Sequence, residues 1–262
     1  MAEHGWQLPD YIAFERPAAA VEPAQPAVSI VIPAYNEAAR IEPYLREVAA
    51  LFAARQERCE ILVVNDGSSD ATPDAIRALM RQLPSLGLLT YAQNRGKGHA
   101  VRVGMLAARG ALRAFADADG STPIAELGKL RARIESDGCD VAIGSRAWRE
   151  TSTRVTVSFH RRAIAQGFRW VRNVLLPLGV ADSQCGFKLF TEQAAAALFP
   201  VSRLNGFAFD VELLYLARRK GLKVAEVPVN WHESSDSHIR LWRDPFKMFL
   251  DVLRVRRLHR DL

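Results

Sequence analysis

Asp117-Ala118-Asp119 follows the apolar run Ala114-Phe115-Ala116, which sets two carboxylates one residue apart at the mouth of a buried strand. Hard oxygen ligands in that arrangement suit a divalent cation, and a cation there can neutralise a departing diphosphate. That is the chemistry a nucleotide-diphosphate sugar donor requires. Asp119 is the expected direct ligand of Mg2+ or Mn2+, with Asp117 nearer the nucleoside or holding a metal-bound water; Ser121 offers a further oxygen. Asp-x-Asp also occurs in ordinary turns, so the neighbouring segments carry the weight.

Those segments place polar groups where strands should end. Val31-Ile32-Pro33-Ala34-Tyr35-Asn36-Glu37 closes a strand on Pro33, which fixes the exit of the chain. Tyr35 offers a flat ring to a base and Glu37 an acceptor to base or ribose donors, while Asn36 equally suits a helix N-cap. Val63-Val64-Asn65-Asp66-Gly67-Ser68-Ser69-Asp70 repeats the design. There Asp66 can accept from a uracil imide or a ribose, and Ser69 or Asp70 can cap the next helix; a plain strand-to-helix turn is the other reading. Asn94-Arg95-Gly96-Lys97-Gly98-His99 is Gly-rich and basic and opens a helix, so it can cradle phosphate, with Lys97 beside a diphosphate or else in solvent. The dinucleotide fingerprint and the Gly-x-x-x-x-Gly-Lys-Ser/Thr loop do not occur, which argues against dehydrogenases and P-loop enzymes. Gly144-Ser145-Arg146 ends a fifth strand, where Arg146 can meet phosphate oxygens bidentately or remain on the surface.

Elements that would bring these groups together are legible in the hydrophobic pattern. Strands are expected over 28–33, 60–65, 87–92, 112–117 and 139–144, alternating with helices over 37–55, 71–82, 98–109 and 123–136. Alternation of this kind implies an α/β fold with a mostly parallel central sheet and helices on both faces. Ligands of such sheets collect at the carboxyl ends of the strands, where all the segments above fall. Past Arg146 the pattern breaks into an Arg-rich helix over 159–176, a strand over 186–190, a helix over 207–220 closed by Gly221 and a strand over 223–231. A last amphipathic helix over 244–259 sets Phe246, Phe249, Leu250 and Leu253 on one face. Residues 1–26, with four prolines and an Ala run, read as a flexible lead-in; 27–240 form the main domain and 241–262 a basic C-terminal helix.

The bulk composition is that of a globular chain: 262 residues, 49% hydrophobic and 24% charged. Cys59, Cys139 and Cys185 are scattered and odd in number, which points to reduced thiols and gives no zinc or disulfide framework. The net charge of +6 is uneven, with seven Lys or Arg against three Asp from Arg240 to Leu262. A basic tail favours anionic partners such as a membrane surface or a phosphorylated substrate. With no helix-turn-helix or aromatic RNA-binding pattern, a nucleic-acid partner is not expected. No stretch reads as a membrane-spanning helix or secretion signal, so a cytoplasmic protein, peripheral on the cytoplasmic face of a membrane, is the expectation.

Together with Asp182-Ser183-Gln184-Cys185-Gly186-Phe187-Lys188-Leu189-Phe190, Phe209-Asp210-Val211-Glu212-Leu213-Leu214 and Val229-Asn230-Trp231, these segments resemble the family 2 glycosyltransferases of GT-A (Rossmann-like) fold. Within that family they are similar to the polyprenyl-phosphate hexosyltransferases of the dolichyl-phosphate β-glucosyltransferase kind. The resemblance spans roughly residues 28–240, and the Gln-Cys-Gly-Phe-Lys-Leu-Phe string is its restrictive part. It implies a UDP-glucose donor, a polyprenyl phosphate acceptor and inversion at the anomeric carbon. It places Pro33, Tyr35, Glu37 and Asp66 at the nucleotide, Asp117 and Asp119 at diphosphate and metal, and Arg146 near the phosphates. Asn65 stands where Asp is more usual, and His238 where Lys is frequent. Lys97 and Arg146 are expected to help the UDP leave, while Lys188, Arg161, Arg162 and Arg240 gather at the acceptor phosphate. Asp210 or Glu212 would be the base for a hydroxyl acceptor. Transfer of another sugar from GDP-mannose or UDP-N-acetylglucosamine, to a lipid or soluble acceptor, and a non-catalytic nucleotide-sugar-binding module are the alternatives.

Overall fold

The computed structural model describes residues 7–17, 25–147, 176, 178–232 and 243–261. The expected alternation is present: β2 (Val28–Ala34), α1 (Ile41–Ala54), β3 (Cys59–Asp66), α2 (Thr72–Met80), β4 (Leu86–Tyr91), α3 (Lys97–Ala107), β5 (Leu112–Phe115), a 3-10 turn at Ile124–Glu126, α4 (Leu127–Glu135) and β6 (Val141–Ser145). Then come β7 (Lys188–Thr191), α5 (Glu192–Leu198), α6 (Phe209–Arg219), β8 (Val224–Pro228) and α7 (Arg243–Leu258). The Arg-rich helix expected over 159–176 lies almost wholly outside the described residues, as do Arg161, Arg162, His238 and Arg240.

Eight strands, counting the N-terminal β1 (Ala13–Glu15), form one mixed sheet in the order β1-β4-β3-β2-β5-β7-β6-β8. β4, β3, β2 and β5 run parallel, and β7 is reversed between β5 and β6. The other reversed strand is β1 (Ala13–Glu15), which pairs antiparallel with β4. Part of the presumed flexible lead-in is therefore an edge strand, and Ile12 beside it is buried in the core. Three residues are too few to show a period, and the free edge of β4 supplies what orders them.

Period-2 alternation explains the two cores. Ile30 and Ile32 face one layer with Ile61, Val63 and the apolar stripes of α1, α2 and α4. Val31 faces the other with Leu62, Val64 and residues of α3, α5, α6 and α7. Strands buried on both faces read as continuous apolar runs, as these do. In the register, Lys188 on β7 sits opposite Phe115 on β5 and Ile143 on β6, so this lysine lies in the middle of the sheet.

Candidate active site

The carboxyl ends of β2, β3, β4 and β5 bring four polar loops to one edge, and the loops hold one another. Asn36, at φ +56°, receives Ser69 N–H on its side-chain oxygen at 2.9 Å and donates its own N–H to Ser68 Oγ at 2.9 Å. It does not cap α1, which begins at Ile41. Pro33 remains inside β2 as the partner of Val64 in the register. Tyr35 is 39% exposed, a ring free to meet a flat ligand. Glu37 is buried and chelated by Arg40, whose Nη2 donates at 2.7 Å, so its carboxylate is already engaged. Asp70 accepts Thr72 N–H at 3.0 Å from one residue before the N-cap position, which is Ala71, so neither Ser69 nor Asp70 is the N-cap of α2.

Asp66 is buried, and its two oxygens accept the N–H groups of Arg95 (2.7 Å) and Gly96 (2.8 Å). Burial raises its pKa above the ordinary aspartate value, against the pull of those donors. Its visible task is to clamp the glycine-rich loop. Asn65 completes the turn, donating to Thr90 Oγ1 at 2.8 Å and accepting from Ser68 N–H.

The loop 94–99 is not an open phosphate cradle. Gly98 and His99 N–H groups, at the start of α3, both donate to the Asn205 carbonyl, at 2.8 and 3.3 Å. With the Arg95 and Gly96 N–H groups on Asp66, the backbone donors expected to face phosphate are turned inward. The Lys97 ammonium is what the loop presents. It pairs with Asp117, the two side chains being 22% and 32% exposed. Burial disfavours the Lys97 charge, but Asp117, Asp210 and Asp119 outweigh it and raise the pKa above that of an ordinary lysine.

Asp117 and Asp119 follow the last residue of β5 as expected. Asp119 is partly exposed, with Oδ1 accepting Ser121 N–H at 3.0 Å. The Asp117 carboxylate lies on Gly186: a Cβ there would come within 2.1 Å of its Oδ2. Only glycine admits that approach, which gives the Cys185-Gly186-Phe187 string a physical reason. No cluster of three or more His, Cys, Asp or Glu able to hold a metal occurs among the described residues. Two carboxylates at the rim, one of them partly free, fit an ion that takes few protein ligands and completes its shell with phosphate oxygens and water, as Mg2+ does.

Three expected roles change with the geometry. Lys188 is 0% exposed and bonded to Asp210 and to the Cys185 carbonyl (2.6 Å), with Nζ 5.2 Å from the Phe115 ring centroid. It cannot reach an acceptor phosphate, because it lies in the core beneath the site. Asp210 is buried too; burial raises its pKa while Lys188 and Lys97 pull it down, so it serves as the counter-charge between two lysines. Glu212 faces away: its oxygens accept Arg203 and Leu204 N–H groups at 2.9 Å, and His259 Nε2 lies 2.6 Å from Oε1.

Arg146 is held at the edge by Asp182, donating from Nε (2.7 Å), Nη2 (2.9 Å) and its backbone N–H (3.0 Å). Its guanidinium carbon lies 5.4 Å from the Trp231 ring centroid. Burial opposes its charge and Asp182 restores it, so the Arg146 pKa rises while the Asp182 pKa falls below the carboxylate range. Glu226 on β8 fixes Asp182 in turn, accepting Ala181 and Asp182 N–H groups at 2.8 and 2.7 Å. Asp182, Gly186 and Asn205 shape the site although the motifs alone give them no role. Asp182 and Gly186 stood inside a quoted motif, whereas a backbone carbonyl such as that of Asn205 leaves no sequence signature.

Residues 29–199 match the glycosyl transferase family 2 sequence model. A dolichyl-phosphate β-glucosyltransferase of Trichomonas vaginalis is 37% identical over 242 residues, covering 89% of this chain and 72% of the relative. The Saccharomyces cerevisiae and Homo sapiens dolichyl-phosphate β-glucosyltransferases are 36% and 34% identical, each aligned over 87% of this chain and 74% of its own length. Among solved structures, mannosyl-3-phosphoglycerate synthase from Rubrobacter xylanophilus superposes with a TM-score of 0.65 at 22% identity, over 90% of this chain and 75% of that one. Glucosyl-3-phosphoglycerate synthase from Mycobacterium tuberculosis, solved with Mn2+, UDP and glucosyl-3-phosphoglycerate, gives 0.65 at 19% identity, over 88% of this chain and 78% of that one. The likeness to these solved structures is one of fold. With this fold, the acidic pair at the β5 rim and a matching sequence over more than half its length, the chain belongs to glycosyl transferase family 2 and is a glycosyltransferase.

Proposed function

We propose that the enzyme transfers glucose from UDP-glucose to a polyprenyl (dolichyl-type) phosphate with inversion, aided by Mg2+ or Mn2+. The observation that carries the acceptor and sugar is the extended match to dolichyl-phosphate β-glucosyltransferases at 34–38% identity. The donor reading is supported by the site: Tyr35 is an exposed ring for uracil, and Lys97, Asp117 and Asp119 converge where a diphosphate would sit, while Asp66 and Glu37, already engaged by the loop and by Arg40, shape the nucleoside end. An acceptor phosphate oxygen attacks the anomeric carbon, the carbon–oxygen bond to the UDP β-phosphate breaks, and UDP leaves with the bonding pair. Asp119 and Asp117 would hold a divalent ion, which would supply charge neutralisation for that leaving diphosphate. Lys97 adds a cation, and Arg146, near Trp231 and oriented by Asp182, borders the sugar end. A phosphate monoester has a second pKa near about 6, so its oxygen is nucleophilic at neutral pH without a base, and Asp210 need not act as one.

The α7 surface supports attachment to an anionic bilayer. Val252 and Val255 pack inward, while Arg254, Arg256, Arg257 and Arg260 are exposed together with Leu253, which is 42% exposed. This differs from an apolar face through Leu250 and Leu253, because the inward positions are the valines. No helix among the described residues is long and apolar enough to cross a membrane. Flotation with anionic liposomes at low salt, lost at high salt, is the expected behaviour on the cytoplasmic face; failure under both conditions removes this part.

Radiolabelled UDP-glucose incubated with polyprenyl phosphate and Mn2+ should yield label that partitions into organic solvent. GDP-mannose, UDP-N-acetylglucosamine and a soluble phosphorylated acceptor serve as competing arms. Label entering only the soluble acceptor, or only from another donor, would replace this reading.

A further inference from the structure

The Lys97–Asp117 pair is built into a rigid frame rather than left as a surface contact. The start of α3 is fastened to the Leu204–Gly206 loop by the two N–H bonds to Asn205 O, and a Cβ on Gly96 would lie 2.5 Å from that same oxygen. Gly96 also has φ +99°, which side-chain-bearing residues rarely adopt. The same loop leads into α6 and Asp210, so Lys97 is gripped from the side that carries its second counter-charge. Lys97 is paired with Asp117, while the Asp210 Oδ1 is bonded to Lys188. On the far side, Gly186 lies directly against the Asp117 carboxylate. A lysine is thus held against one of the two acidic groups offered to a divalent ion.

Two cations at one carboxylate repel each other at short range, and partial burial strengthens that repulsion relative to water. A diphosphate reverses the balance, since it brings negative charge for both the lysine and the metal. Resting on the metal and donor reading above, we infer that Lys97 is an internal competitor of the divalent ion for Asp117. A diphosphate ligand draws off the ammonium and so admits the metal, and metal and nucleotide bind as a coupled pair. By linkage, each must raise the affinity for the other by the same factor.

The test is a Mn2+ titration followed by the electron paramagnetic resonance of free Mn2+, with and without UDP, on the full chain. Wild type should take up Mn2+ weakly alone and much more tightly with UDP. In K97M the affinity for Mn2+ alone should rise about tenfold, UDP should bind more weakly, and the coupling factor should fall by a similar amount. K97Q should behave like K97M and stands in for it should K97M fail to fold. R95M removes a cation from the same loop that lies over Tyr11 rather than on Asp117, with its guanidinium carbon 4.1 Å from the ring centroid, and should shift Mn2+ affinity far less. If K97M and K97Q match wild type or R95M while UDP still promotes Mn2+ uptake, the competition is overturned and the metal reading stands. If wild type takes up no Mn2+ even with UDP, or D119A takes it up unchanged, the metal reading fails and the competition with it.

Discussion

Two lysine–aspartate pairs lie on neighbouring parts of this molecule and differ mainly in depth. Lys188–Asp210 is sealed, with side chains 0% and 5% exposed; Lys97–Asp117 stands at the rim. The inner pair is locked from both ends, by the Cys185 carbonyl and the Phe115 ring on the lysine side and by α6 on the aspartate side. The outer pair has one wall of glycine and one of solvent. Identical side-chain chemistry therefore sits in two settings: charge compensation where water is excluded, and a pair open to solvent at the rim. A cationic motif residue is a candidate for ligand binding only when the fold leaves it a route to solvent.

The comparison can be broken at several points. D119A should lose transfer by about 10²–10³-fold with little change in melting temperature, as expected when leaving-group stabilisation is removed from a rim position; steady-state kinetics beside a thermal melt reads both. K188M should do the reverse first, destabilising by about 3–5 kcal/mol because it strands a buried carboxylate, and K188M/D210L should recover much of that loss in urea denaturation. A double variant as unstable as the single one would mean that the inner pair does more than cancel its own charges. G186A should press the Asp117 carboxylate out of place and cost about tenfold in kcat/KM, with a smaller effect on stability. Unchanged kinetics would show that the outer pair tolerates a wall.

The smallest effect expected is a pH slope at His99. Its pKa falls from 6.5 to about 4, through burial first and then the nearby Arg102 and Arg95 cations. Its Nδ1 accepts from Arg102 Nη2 at 3.0 Å, which fixes the neutral ring with the proton on Nε2, toward Tyr11. A depressed folded-state pKa gives stability that is complete above pH 6.5 and is lost as pH falls toward 4. Denaturation midpoints across that window should show the slope in wild type and lose it in H99Q.

Residues on long periodic segments, and those at the ends of strands, were legible in the sequence. The β2–β6 alternation and the positions of Tyr35, Asp117 and Asp119 follow from apolar runs that stop at polar residues. Other features depend on contacts distant in sequence. The reversal of β7, the burial of Lys188 and the capture of two N–H groups by Asn205 O carry no local mark. The helix α5 does carry a local mark: Thr191 accepts Ala194 N–H at 3.1 Å as its N-cap, and Glu192 opens an Ala-rich run. Asp66 illustrates a subtler limit, since Asn-Asp-Gly-Ser predicts a turn without saying that the carboxylate will clamp the loop of the next strand.

The short strand β1 has a consequence for solubility. By covering Leu88–Thr90 it leaves the buried, largely apolar β4 without an open row of backbone donors and acceptors. Truncation to residue 17 would bare that row, and the shortened protein should self-associate through it, sheet to sheet, even with every site residue in place.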